Sequence, residues 1–476
     1  MSATGVLLAN LFPAMSFDDY FRSGTSALYT DLYQLTMLQG YWWEDMDETA
    51  VFDLFVRRLK DRNYLLACGL EQALRYLEAL SFSEEALDYL DEQGQFEDAF
   101  LEWLADFTFT GDVYAVSEGT PVFPEEPIVE VVAPIGEAQL VETFLLNQIT
   151  FQTTIASKAA RVAQAAHAGG AERLVADFGM RRMHGTDAAM KAARAAYVAG
   201  VDSTSNVAAG KAYDIPITGT MAHSYVEAHD TEMEAFREFS ELYPETILLV
   251  DTYDTLDGVR KVIDLAEEKG EDFRVRGIRL DSGDLGALAK EARSLLDAAG
   301  LDDVQIFASS GLDEHKITAL LDRGAPIDGF GVGTKMGTSA DQPALDSAYK
   351  LCGYAGRPRM KLSAEKSNLP GRKQVIRQYE EGTAVRDVIA TEEDDPHTGA
   401  PLLERVMAEG ERTDAGMPRP LDALREHAAA RLAELPARLH ALDADPEGYE
   451  VVLSDAMQER LDQTRSELHN AMAVES

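Results

Sequence analysis

An aspartate that ends an apolar run can hold a sugar diol when serine, glycine and a second aspartate follow it. Arg279-Leu280-Asp281-Ser282-Gly283-Asp284 is such a segment. Residues two apart on a strand share a face, so Arg279 and Asp281 reach the same place. A guanidinium fork beside a carboxylate suits a ligand that carries both an anion and hydroxyls. The tip also reads as an Asx turn capping the helix after it. Ser309-Ser310-Gly311 and Gly331-Val332-Gly333-Thr334 have the small residues that let backbone amides close round a phosphate. Each is weak alone; on successive tips they match the late loops of a βα barrel, which often share one phosphate. His223, in Gly219-Thr220-Met221-Ala222-His223-Ser224, has room around its ring, and Asp251 on the next tip is placed to hold one ring nitrogen. Such a histidine acts as a nucleophile or an acid–base group. Phe178 with Arg181 and Arg182 joins a ring face to an arginine pair, which suits a planar anion. The chain has no GxxxxGK[ST] segment, which excludes a P-loop nucleotide site.

These residues sit at the ends of one recurring unit: a β-branched run, a short polar tip, then a helical stretch. The key positions Asp177, Asp202, Thr220, Asp251, Asp281, Ser310 and Gly333 are 25, 18, 31, 30, 29 and 23 residues apart. That is the pace of βα units in a barrel or a doubly wound sheet, where chemistry gathers on the loops after the strands. The intervening helices are well signalled: TLDGVRKVIDLAEEKG begins at a Thr/Asp cap, and stops fall at Gly270, Gly300 and Gly324. The organisation expected around them is a flexible lead over 1–25 and an α+β domain with an antiparallel sheet over 26–136. A connector helix and the α/β barrel follow over 137–350, with Leu140, Phe144, Leu145 and Ile149 at helical spacing. A basic Gly/Pro-rich loop and strands over 351–420 return to the first domain, and amphipathic helices over 421–476 are expected to pack against it.

At 476 residues, 46% hydrophobic, the chain is long enough for two or three domains with real cores. No run approaches ~18 consecutive apolar residues, so no membrane helix is expected. The apolar run near the start has no basic residue ahead of it, which argues against a signal peptide. Two cysteines, Cys68 and Cys352, point to reduced thiols and a cytoplasmic location. The net charge of −40, with 30 arginines and 13 lysines against 83 acidic residues, repels nucleic acid and anionic membranes. A solvated acidic coat explains it, as does adaptation to a salty cytoplasm. An anionic ligand must then be drawn in by a local cationic pocket.

In order along the chain, TDLYQLTM (Thr30 to Met37), FGMRR, DSTSNVAAG, GTMAHS, VDTYDT, RLDSGD, FASSGLDE, FGVGT, PRMKLS and LPGRK resemble the nicotinate phosphoribosyltransferases. The resemblance spans roughly residues 28 to 378. It implies the irregular α/β barrel of the type II phosphoribosyltransferases, packed against an α+β sandwich built from N- and C-terminal segments. It also implies that nicotinate and 5-phosphoribosyl 1-pyrophosphate combine to give nicotinate mononucleotide and pyrophosphate, with Mg²⁺ as cofactor and ATP as co-substrate. By position, Phe178 resembles the residue stacking on one face of the pyridine ring. Tyr33 resembles the one covering the other face from a second subunit, so the implied assembly is a homodimer with shared sites. Arg279 and Arg181 would take the carboxylate and a neighbouring phosphate. Asp281, with Gly283 beside it, would hold the ribose. Ser310, Gly311, Gly333 and Thr334 would cradle the 5′-phosphate, and His223 would be phosphorylated by ATP with Asp251 orienting it. The basic stretch through Arg359, Lys361 and Lys373 would contact nucleotide phosphates. Nicotinamide-using relatives carry an aspartate at the position of Ser205; a serine there can donate to a carboxylate and favours the acid. A nicotinamide enzyme, a quinolinate enzyme and a non-catalytic phosphosugar-binding barrel are the rival readings. A metal-dependent aldolase or hydrolase barrel is disfavoured, because the tips lack clustered metal ligands.

Overall fold

The computed structural model describes residues 26–170, 172–362, 368–394 and 399–475, and the lead expected over 1–25 lies outside them. Six short parallel strands run Ser203–Thr204, Leu174–Asp177, Gly329–Val332, Gln305–Ser309, Gly277–Leu280, Ile247–Leu249 across one sheet. All five pairings are parallel. In chain order the last strand pairs back onto the first, which is how a barrel closes. The apolar run expected as a strand at Ile215 to Gly219 forms only a single parallel bridge, Thr204 to Ile217. No ladder joins it to Ile247–Leu249 among the described residues. The barrel is therefore irregular, open on the side where His223 follows. The strands are two to five residues long, and their inward and outward faces are both largely covered, as parallel sheets require.

The second layer is a seven-stranded antiparallel sheet ordered Arg357–Pro358, Ser347–Tyr354, Thr49–Val56, Pro127–Pro134, Asp112–Val116, Leu403–Ala408, Glu411–Arg412. Strands from both ends of the chain thus build one sheet. A four-stranded sheet, Ala400–Pro401, Lys373–Glu380, Thr383–Thr391, Glu450–Leu453, lies beside it.

One helix, Glu142–Ala166, ties the layers together. Its 25 residues span roughly 37 Å. Phe144, Leu145 and Ile149 enter the core of the antiparallel sheet, while Ile155, Ala159, Val162 and Ala166 enter the barrel core. Its alanine-rich second half meets an equally alanine-rich face of helix Thr186–Val198, and small side chains let the two backbones approach. Arg194 of that helix makes a buried two-pronged pair with Glu118, which comes from the other layer.

The C-terminal segment differs from expectation. Helix Leu421–Ala433 packs on barrel helix Thr186–Val198, with Tyr197 donating to Asp422 at 2.5 Å and Arg425 paired to Asp202. It also touches Gly119 and Thr120 of the N-terminal layer. It therefore bridges both layers instead of covering one, because its small Ala428 fits where Gly119 leaves no side chain. Cys68 and Cys352 are buried and unbridged, and no helix among the described residues is long and apolar enough to cross a membrane.

Candidate active site

The strand ends bring most of the expected residues to one mouth. Asp177 organises the first two tips. Its carboxylate accepts from the Gly179 amide and the Thr204 hydroxyl, both at 2.8 Å, and its carbonyl accepts from the Ser205 amide. Phe178 is thereby turned over strand Gly329–Val332, where Gly331 makes space for it. A Cβ on Gly331 would come within 2.4 Å of the phenyl ring. Arg279 lies over the same ring, its guanidinium carbon 6.0 Å from the centroid. Thr220 and the Met221 carbonyl hold two of its nitrogens, while Nε is buried without a partner among the described residues. Burial, with help from the like charge of Arg181 and against Asp281 and Asp251, pulls the Arg279 pKa below its ordinary value. The group stays charged, and a half-satisfied buried guanidinium favours an anion beside it.

Asp281 accepts from the Ser309 hydroxyl and keeps its other oxygen towards the mouth, 4.0 Å from His223 Nε2. It lines a hollow of about 410 Å³ with Ser282, Gly283, Asp284, Ser310, Lys316 and Arg323. Ser310 and Gly311 both adopt positive φ, 85° and 60°. For serine that is an uncommon and strained conformation, of the kind folds tolerate where a loop must turn its backbone to a ligand. Gly333 lies against the Phe178 tip and Thr334 follows it, so the two candidate phosphate loops flank the ring and the hollow.

Two expectations change. Asp251 does not hold His223. Its Oδ2 accepts from the Asp281 amide at 2.9 Å and the Ser282 hydroxyl at 2.6 Å, bracing the RLDSGD tip instead. The imidazole is met by Thr252, whose Oγ1 is 3.1 Å from Nδ1. Lys373 is also removed from any nucleotide role. It is buried in the antiparallel layer, 2.7 Å from Asp53, and its ammonium donates to the Leu369 and Gly371 carbonyls. Lys361 stays exposed and Arg359 half-buried on the loop before it. Tyr33 sits on the first turn of helix Leu32–Trp43 beside Asp31 and Glu142 and is half exposed.

Two family models match this chain: the nicotinate phosphoribosyltransferase (NAPRTase) N-terminal domain over residues 28–150, and the nicotinate phosphoribosyltransferase (NAPRTase) family over 174–355. A nicotinate phosphoribosyltransferase of Mycobacterium tuberculosis is 52% identical over 91% of this chain and 93% of its own length. The chain belongs to the nicotinate phosphoribosyltransferase family. A Bacillus subtilis member is 46% identical over 75% of this chain and 74% of its own. The crystal structure of human nicotinic acid phosphoribosyltransferase superposes with a TM-score of 0.81 at 28% identity, covering 91% of this chain and 99% of that one.

Within this nicotinate phosphoribosyltransferase the structure adds residues that sequence reasoning missed. Lys316 reaches back to the candidate phosphate loop, its Nζ 3.3 Å from where a Gly311 Cβ would stand. Lys335, directly after Thr334, is paired to Asp313. Two of only 13 lysines in a chain of net charge −40 thus converge on the loops expected to take a phosphate. Their one signal in the sequence was that scarcity. Ser309 and Thr252 stand next to residues already singled out, and nothing local marked them as the atoms that reach Asp281 and His223.

Proposed function

We propose that this site joins nicotinate to 5-phosphoribosyl 1-pyrophosphate, releasing nicotinate mononucleotide and pyrophosphate, in the salvage branch of NAD biosynthesis. ATP is cleaved to ADP and phosphate through a phosphohistidine at His223, and the enzyme works in the cytoplasm as a homodimer with shared sites. The observation that carries the reading is the meeting of Phe178, Arg279, Asp281 and His223 at one barrel mouth. The pyridine ring lies on Phe178 with its carboxylate towards Arg279 and Arg181. Ser205, one tip away, donates to the acid, where an aspartate would repel it. Asp281 holds the ribose hydroxyls, and Ser310, Gly311, Gly333 and Thr334 close on the 5′-phosphate.

The pyridine nitrogen forms its bond to the anomeric carbon as the carbon–oxygen bond to pyrophosphate breaks, and pyrophosphate leaves with the electron pair. No proton moves, so no general base is required. Rate comes from holding two reactants in line and from charge stabilisation. A Mg²⁺ ion is the cofactor this chemistry calls for, and hard carboxylate oxygens suit it. Asp281 and Asp251, whose buried Oδ1 has no partner among the described residues, are the carboxylates that would hold it. Held there, it would supply positive charge against the pyrophosphate as that group leaves.

Two apolar patches support the shared dimer. Tyr29, Leu32 and Tyr33 are exposed at the start of the first long helix, and Met180, Val207 and Ile217 are exposed at the mouth. The deciding experiment supplies the purified protein with phosphoribosyl pyrophosphate, Mg²⁺ and either nicotinate or nicotinamide, with and without ATP. Nicotinate-selective product that rises with ATP is expected. Product from the amide would overturn the Ser205 argument, and no product from either, at low and high salt, would overturn the reaction.

A further inference from the structure

We infer that Thr252 is the positioning residue of His223: its hydroxyl occupies Nδ1 and so makes Nε2 the nitrogen that takes the phosphoryl group of ATP. This rests on the phosphohistidine reading above. The two ring nitrogens have different surroundings. Nδ1 is 3.1 Å from Thr252 Oγ1, a hydrogen-bond contact that leaves no room for a phosphorus atom. Nε2 is 4.0 Å from Asp281 Oδ2, too far for a hydrogen bond, on a side chain that is 39% exposed. The open nitrogen is therefore the one that faces the carboxylate expected to hold the ribose. Asp251, the neighbour of Thr252, is directed instead at the RLDSGD tip, where its Oδ2 accepts from the Asp281 amide and the Ser282 hydroxyl.

The position of the contact matters for His223 because its tip is weakly fixed. It heads a helix of only five residues, and the segment before it holds the barrel by one bridge at Ile217. Thr252 follows strand Ile247–Leu249 on the far side of that gap, so the hydrogen bond spans the break in the wall. With the Thr252 hydroxyl as acceptor, it sets the ring plane and keeps the Nδ1 proton in place, leaving the lone pair on Nε2. That pair attacks the γ-phosphorus of ATP. The nitrogen–phosphorus bond forms as the bond from phosphorus to the β,γ-bridging oxygen breaks, and ADP departs with the electrons. The ring becomes an imidazolium whose Nδ1 proton still rests on Thr252 Oγ1. In the discharge step water attacks phosphorus, the electron pair returns to Nε2, and the proton of water passes to solvent. A protonated phosphoimidazole is the better leaving group, so one hydrogen bond serves both charging and discharge.

The test uses the full chain with ATP and Mg²⁺, and identifies the phosphohistidine isomer with isomer-specific antibodies and ³¹P NMR. The wild type is expected to carry the Nε2 isomer alone, and Thr252→Ser to keep both isomer and rate. Thr252→Val, nearly the same shape, is expected to charge roughly tenfold to a hundredfold more slowly, by the scale typical of residues that orient a histidine, and to give mixed isomers. An Nδ1 isomer in the wild type would overturn the inference, as would Thr252→Val charging at the wild-type rate on Nε2 alone. Absence of phosphohistidine from the wild type would overturn the ATP-coupled reading itself, an outcome distinct from the wrong isomer.

Discussion

At the scale of single residues, the site works by leaving atoms half-satisfied. Arg279 has two nitrogens held and one buried without a partner, and Asp281 has one oxygen committed and one facing the mouth. Each is rigid enough to aim and incomplete enough to bind. Phe178 depends on an absence: Gly331 leaves the space that its ring fills. Gly331→Ala should displace the ring, since a methyl 2.4 Å from its carbons cannot coexist with it. The expected cost is about 1–3 kcal/mol of stability, typical of overpacking. The KM for nicotinate should also rise by roughly tenfold, the scale of a lost ring contact. Steady-state kinetics with each substrate varied would check it; an unchanged nicotinate KM would show that the ring is not the platform.

At the scale of elements, buried ion pairs join segments that lie far apart in the chain. Lys373, on the strand Lys373–Glu380, meets Asp53 on Thr49–Val56, with both side chains less than 5% exposed. Burial disfavours the lysine's charge, but Asp53 more than compensates and its pKa is raised. Removing one partner strands the other without solvent. Lys373→Met should therefore destabilise the protein by about 3–5 kcal/mol. The KM for ATP, measured below the unfolding transition, should not change, because this lysine faces the sheet core. Chemical denaturation and ATP kinetics on the same preparation separate the two effects. A raised KM for ATP with intact stability would restore the nucleotide role.

At the scale of the whole molecule, two predictions test how the parts are joined. If Tyr33 completes the partner's site, Tyr33→Ala and His223→Ala variants, each of low activity, should complement when co-refolded. Random pairing in a two-fold dimer gives one intact site in half the dimers, so about a quarter of wild-type activity is expected. No recovery would place Tyr33 outside the site. The second concerns helix Leu421–Ala433, which bridges the layers. His427 lies on it, 3.3 Å from Thr120 Oγ1, and burial together with Arg419 and Arg431 holds its pKa down to about 4. The folded state thus prefers the neutral ring, and the unfolded state takes up the proton first. The stabilisation is complete above the ordinary value of 6.5 and is lost as pH falls towards 4. His427→Gln should flatten the stability profile in that window alone, as read from urea unfolding at a series of pH values.

The order of the tips, the barrel class, and the gathering of Arg279, Asp281 and His223 on neighbouring tips were legible in the sequence. A strand end followed by a helix cap is a local pattern, and the repeat of about 18 to 31 residues recurs without reference to distant parts. Which atom meets which was decided by the tertiary structure. Thr252 displaced Asp251 as the partner of His223 because the wall between Ile217 and Ile247 is open, and a missing ladder leaves no local trace. Lys373 looked like a solvent-facing cation until its strand was laid beside a carboxylate about 320 positions away. The C-terminal helix found its place through a glycine and an alanine, Gly119 and Ala428, that only packing could bring together. Short-range patterning set the parts of this molecule; contacts across hundreds of residues set their partners.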